Sequence, residues 1–144
     1  MRICFDMDGT IANLYKVDGW LDDILAENAR PYEIAKVLIN MNSLARVLNR
    51  LQRQGYEIGI ISWLSDGGSD AYKEEVEIAK RMWLKKHLTS VHFDFIEIVE
   101  YGTDKNIVRT SADDILFDDE AENRKNWKGI AYNVDNIIEV LRGL

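Results

Sequence analysis

Apolar positions along the chain fall into short blocks separated by longer stripes. Residues 2–5, Arg-Ile-Cys-Phe, form an apolar run that stops at Asp6-Met7-Asp8-Gly9-Thr10, the signature of a buried strand opening into a polar loop. Trp20, Leu21, Ile24 and Leu25 stand at helical spacing, and Pro31 is expected to close that segment. From Tyr32 onward Ile34, Val37, Leu38, Met41, Leu44, Ala45, Leu48 and Leu51 step by threes and fours, which predicts one amphipathic helix. Arg50 and Arg53 suit its C-terminal dipole, and Gly55 fits its cap.

Residues 56–63 are β-rich (Ile58, Ile60, Ile61) and run into a Ser-Asp-Gly-Gly-Ser loop. Tyr72, Val76, Ala79, Trp83 and Leu88 make a second helical stripe, with Glu77 and Arg81 paired one turn apart. Residues 93–99 alternate like a strand, and Thr103 or Asp104 is placed to start a short helix containing Lys105, Ile107 and Val108. Residues 114–117 read as another apolar strand, ending at Asp118-Asp119. A helix over 122–127, a strand over 129–132 and a helix over 136–141 follow. Strands alternating with helices predict an α/β fold, a doubly wound, mostly parallel sheet covered on both faces. Ligands of such sheets bind beyond the carboxyl ends of the strands. Asp6/Asp8, Ser62 and Asp118/Asp119 each follow a strand directly, so they are expected to converge at one sheet edge.

Composition narrows the picture. The chain has 144 residues, 47% of them hydrophobic, enough for one domain (1–144) with a real core. With 18 Lys+Arg against 25 Asp+Glu the formal charge is −7, which disfavours nucleic-acid polymers and anionic membranes as partners. No apolar run approaches the roughly 20 residues of a membrane span, and Asp6 interrupts the N-terminus before a signal core forms. Cys4 is the single cysteine, so a disulfide framework is excluded and a reducing, cytoplasmic setting is expected, with Cys4 an inert core thiol.

The acidic groups carry the candidate chemistry. A carboxylate beside a divalent cation can attack phosphorus, and a second one nearby can protonate the leaving oxygen and later deprotonate water. Four carboxylates at one sheet edge repel unless a cation sits between them, and hard oxygen donors favour Mg²⁺. Lys105 supplies positive charge there, with Lys80, Lys85 and Lys86 as competitors for that role; Ser62 and the N–H groups around Trp63 and Leu64 are candidates for phosphate oxygens. Glu122 and Asn123 stand equally for an outer metal shell or a solvated helix face, whereas Tyr15 and Trp20 read as core or cap packing ahead of stacking on a substrate base.

These residues resemble the haloacid-dehalogenase-like (HAD) superfamily of phosphohydrolases. Its first motif, an apolar strand ending in Asp-x-Asp-x-Thr, is matched by Asp6, Asp8 and Thr10. Its second is matched by Ile60-Ile61-Ser62, its third by Lys105, and its fourth by Ile115-Leu116-Phe117-Asp118-Asp119. The four occur in the family's order between Cys4 and Asp119. The resemblance implies Asp6 as nucleophile and Asp8 as general acid/base. It implies Thr10, Ser62 and Lys105 around the phosphate, Thr10 also supporting the loop, and Mg²⁺ held by Asp6, Asp8 (through its backbone carbonyl), Asp118 and Asp119. Residues 6–12 and 115–123 are also similar to the deoxyribonucleotidase branch, from which Ser62-Trp63-Leu64 departs. The function implied is a Mg²⁺-dependent phosphomonoesterase acting on a small phosphorylated substrate, with a 5′-nucleotidase as its narrower form. A phosphotransferase or mutase, and a silent domain that binds Mg²⁺ or a partner, are the alternatives. Residues 11–41 are the candidate flap or small cap, which leaves the site open to a bulky substrate or to completion by another subunit.

Overall fold

The computed structural model describes residues 1–144. Five strands form one all-parallel sheet: β1 (Arg2–Phe5), β2 (Glu57–Trp63), β3 (Phe95–Val99), β4 (Ile115–Phe117) and β5 (Ile130–Tyr132), in the order β3-β2-β1-β4-β5. The α/β fold class expected from the alternation is the one observed. Six helices connect or flank the strands: α1 (Trp20–Leu25), α2 (Arg30–Ile34), α3 (Met41–Arg53), α4 (Asp70–His87), α5 (Ala121–Asn126) and α6 (Ile137–Arg142). Single 3₁₀ turns lie at Leu14–Lys16, Lys105–Val108 and Val134–Asn136. No helix is long and apolar enough to cross a membrane.

Strand alternation sorts the core into two layers. Ile3, Phe5, Ile58 and Ile60 join Leu44, Leu48 and Leu51 of α3, Trp83 and Leu84 of α4 and Leu141 of α6. Cys4, Ile61 and Leu116 face the other way, onto Val108 and Trp127. Burial and the nearby Asp114 carboxylate push the Cys4 thiol up to about 12, which keeps it protonated and inert. Phe5, Phe117 and Tyr132 are paired in register on neighbouring strands and their rings stack, with centroids 5.2 and 5.6 Å apart. This aromatic row fixes the register at the strand ends immediately before Asp6 and Asp118.

The segment between β1 and α3 differs from its expected form. Pro31 opens α2 instead of closing α1, because a proline is accommodated in the first helical turn, where its missing N–H is not needed. The single helix expected from Tyr32 to Leu51 is broken over residues 35–40. There the chain is drawn out alongside the loop after β1: Asn13 N–H donates to the Lys36 carbonyl (2.8 Å) and Leu38 N–H to that of Ile11 (2.9 Å). Asn40 then starts α3 by accepting from Ser43 N–H at 3.0 Å. Asp104, and not Thr103, caps the turn that carries Lys105.

Asp114, fully buried at the start of β4, ties that strand to β1. Its carboxylate accepts from Arg2 N–H (2.8 Å), Thr110 N–H (2.7 Å), Thr110 Oγ1 (3.0 Å) and Ser111 N–H (3.0 Å). Burial raises this carboxyl's pKa, but the amides of Arg2, Thr110 and Ser111 outweigh it and hold the group below the usual aspartate range. The unfolded chain therefore binds this proton more tightly than the folded one. The stabilisation is complete above the ordinary aspartate pKa of about 3.9 and is lost as pH falls through the lower folded value. Asp114→Asn is expected to cost about 1.5–3 kcal/mol in urea unfolding at pH 7, and to flatten the loss of stability below pH 4.

Candidate active site

The central position of β1, between β2 and β4, brings the carboxyl ends of three strands together. Asp6 continues β1 by one residue, its N–H donating to the Phe117 carbonyl at 3.0 Å, and Asp118 does the same for β4 through Tyr132 (3.2 Å). After Asp6 the chain turns tightly: the N–H groups of Thr10, Ile11 and Ala12 all point to the Met7 carbonyl, each at 3.0 Å. Gly9 makes that turn with φ +81°, and a Cβ there would run into the Asp119 carboxylate.

Lys105 Nζ stands between two carboxylates, 2.9 Å from Asp6 Oδ1 and 2.7 Å from Asp118 Oδ2. Burial alone would lower the lysine's pKa, but Asp6 and Asp118 overcome it and raise it, so the ammonium is retained. Asp118, fully buried, also accepts from Glu120 N–H at 2.9 Å. Arg124 secures the acidic pair from behind, donating to the carbonyls of Asp118 (3.0 Å) and Asp119 (2.9 Å).

Two expected phosphate contacts are placed elsewhere. Thr10 Oγ1 donates to Asp6 Oδ2 (3.0 Å) and accepts from Asp119 N–H (3.2 Å), so it braces one acidic loop against the other and does not line the cavity. Ser62 is fully buried, and its Oγ accepts from Lys80 Nζ at 2.8 Å. The Leu64 N–H considered for an anion is already donated to the Val99 carbonyl at 2.7 Å. Both hydroxyls belong to the scaffold of the acidic loops, because a buried hydroxyl takes the nearest partner.

Lys80 is the residue that sequence reasoning left in the background, naming it only as a competitor for Lys105. It is 1% exposed, and its three donors are all used: Asp8 Oδ2 (2.8 Å), Ser62 Oγ (2.8 Å) and the Trp63 carbonyl (2.6 Å). The available signal was its place on α4. It lies four residues after Val76 and three before Trp83, on the buried stripe, where an unpaired lysine is not tolerated. Lys85 and Lys86 are exposed near the end of the same helix.

Asp6, Asp8, Asp118 and Asp119 all line one cavity of about 290 Å³. Against these four carboxylates stand two ammonium groups, leaving an excess of two negative charges when all are ionised. Burial pushes the Asp119 carboxyl up to about 7, with Asp6 the next contributor, and burial followed by repulsion from Asp6 raises Asp118. Oxygen atoms of Asp6, Asp118 and Asp119 lie within 4.8 Å of one another. Hard oxygen donors, close spacing and unbalanced negative charge fit a divalent cation of the Mg²⁺ type. The Asn123 side chain lines the cavity and is buried, whereas Glu122 is exposed and lies outside it.

No family model and no curated protein matches the chain. Among the solved structures that share its fold are two phosphatases. The D,D-heptose 1,7-bisphosphate phosphatase of Burkholderia thailandensis is 13% identical with a TM-score of 0.55, covering 99% of this chain and 96% of its own. The D,D-heptose 1.7-bisphosphate phosphatase of B. bronchiseptica, complexed with magnesium and phosphate, is 14% identical with a TM-score of 0.55, covering 90% and 77%. The chain therefore has the α/β fold of these two proteins.

The Lys80 arrangement gives a stability test. Lys80→Met is expected to cost about 3 kcal/mol, because it leaves the half-buried Asp8 carboxylate without its cation. The double variant Lys80→Met/Asp8→Asn is expected to regain at least half of that loss in urea unfolding.

Proposed function

We propose that the chain is a Mg²⁺-dependent phosphomonoesterase that works through a phosphorylated Asp6. The observation that carries this reading is the pairing of roles within one cavity. Asp6 stands beside a retained ammonium and two further carboxylates, while Asp8, two residues on, is held apart by its own lysine.

The chemistry follows from those positions. An Asp6 carboxylate oxygen attacks phosphorus, forming an O–P bond as the bond from phosphorus to the leaving oxygen breaks. Asp8 gives its proton to that oxygen. Burial raises the Asp8 carboxyl, opposed by Lys80 and assisted by Asp6, so it is able to carry a proton. A water molecule then attacks the aspartyl phosphate, Asp8 takes the water's proton, and Asp6 is released with inorganic phosphate. Lys105 donates two of its hydrogens to carboxylates and keeps the third for a phosphoryl oxygen. Asp6, Asp118, Asp119 and the Asp8 carbonyl would hold a divalent cation, which would supply charge to offset the phosphoryl oxygens. Thr10 and Ser62 act through others, Thr10 by fixing Asp6 and Asp119 and Ser62 by seating Lys80.

The substrate proposed is a small phosphorylated molecule, and nucleoside 5′-monophosphates belong in the assay because of the similarity of residues 6–12 and 115–123. Residues 11–41 are proposed to form the lid, since Leu14, Tyr15, Trp20 and Ile24 of this segment line the cavity.

Asp6→Asn is expected to reduce phosphate release from any accepted monoester by at least about 10⁴-fold while far-UV circular dichroism is unchanged. Excess EDTA should abolish activity and added Mg²⁺ restore it. Undiminished turnover in either condition would overturn the reading.

A further inference from the structure

Beside its carboxylates, the cavity is lined by apolar and aromatic side chains. Tyr15 meets Trp20 edge-on at 5.1 Å, and Trp63 tilts against Tyr101 at 4.9 Å. Leu21 and Leu25 of α1 add aliphatic surface, and Leu25 is 74% exposed although it lines the cavity. Tyr15 and Tyr101 are also exposed, at 45% and 51%. Apolar side chains clustered at the mouth of a polar site leave area in water that a ligand can cover.

The polar atoms of Trp63 and Tyr15 are committed or uncharged. Trp63 Nε1 donates to the Thr103 carbonyl at 2.9 Å. Burial, Asp8 and Asp119 raise the Tyr15 phenol, which stays neutral. Lys105 is the one cation lining the cavity, and Asp6 and Asp118 share it. Asp66 and Glu120 add further negative charge. The neighbouring groove holds Lys128, but together with Asp104, Glu120 and Glu122. A second anionic group on the substrate would therefore meet carboxylates with no free ammonium to receive it.

We infer that the substrate is a phosphate monoester with a single phosphate and an apolar, aromatic leaving group. The phosphate lies at Asp6 and Lys105, and the leaving group packs between the α1 side chains and the Trp63–Tyr101 pair. This rests on the phosphomonoesterase reading of the carboxylates but adds a discrimination that the carboxylates do not contain. Bisphosphates and highly hydroxylated monophosphates are the disfavoured classes.

The test compares 2-phenylethyl phosphate, glucose 6-phosphate and hexane-1,6-diyl bisphosphate in Mg²⁺ buffer. All are esters of primary alcohols, so leaving-group basicity does not favour the aromatic one. The expected kcat/KM for 2-phenylethyl phosphate exceeds the other two by at least about tenfold, as an apolar pocket can provide. Trp20→Ala is expected to shrink that ratio at least about fivefold, and so is Leu25→Ser at a more exposed position where the fold is not at stake. Calorimetric binding of 3-phenylpropylphosphonate and methylphosphonate to the wild-type protein with Mg²⁺ supplies an arm independent of turnover. If no ester is hydrolysed but the phenylpropyl compound binds at least about tenfold more tightly, and Trp20→Ala removes the difference, the phosphomonoesterase reading fails and the aromatic pocket stands. Hydrolysis with equal or reversed preference, or ratios that both variants leave unchanged, overturns the pocket and leaves the phosphomonoesterase. Equal binding of the two phosphonates with no turnover overturns both.

Discussion

The ammonium of Lys105, shared by Asp6 and Asp118, is the interaction on which the rest of the site depends. Those two carboxylates lie at the ends of adjacent strands, and the in-register row of Phe5, Phe117 and Tyr132 leaves them no freedom to move apart. Two buried like charges in that position oppose strand pairing unless a cation separates them. Lys105 reaches them from a short turn capped by Asp104, and Asn106 ties that turn to the Asn126 carbonyl at 2.8 Å. The sheet brings the acids together; a loop outside the sheet makes their proximity tolerable.

The two buried lysines divide the work by how many hydrogens each has left. Lys80 gives all three to Asp8, Ser62 and the Trp63 carbonyl, so it organises the second carboxylate and has nothing to offer a ligand. Lys105 gives two and retains one. The balance of charge follows the same division: each lysine neutralises part of the acidic cluster, and the remainder is what a divalent cation can satisfy. The formal charge of −7 over the whole chain does not describe this point, where two buried ammonium groups stand among four carboxylates.

The strands and the acidic residues were legible because their signals are local. An apolar run that ends in Asp-x-Asp or Asp-Asp shows both the strand and where it stops, and the order of helices and strands implied a parallel sheet. The flap was harder. Ile34, Val37 and Leu38 continue the spacing of α3, but pairing of residues 35–38 with the loop after β1 competes with helix and wins. Hydroxyl direction was beyond reach, since Thr10 and Ser62 fit their motif positions whichever way their oxygens point. Lys80 was visible as a residue out of place on an apolar stripe, but its partner Asp8 lies 72 positions away and only the folded chain joins them.

The central position of β1 also sets an order of events during synthesis. β1 needs neighbours on both sides, and they come from residues 57–63 and, much later, 115–117. At about 5–20 residues per second, several seconds separate the emergence of Asp6 from that of Asp118. Throughout that interval one hydrogen-bonding edge of β1 has no partner from its own chain, and Asp6 has neither Lys105 nor Asp118 beside it. A charge directly after that unpaired edge discourages pairing with another nascent chain. The same aspartate that the folded chain places at the centre of its site thus ends, through that interval, a strand with one edge still open.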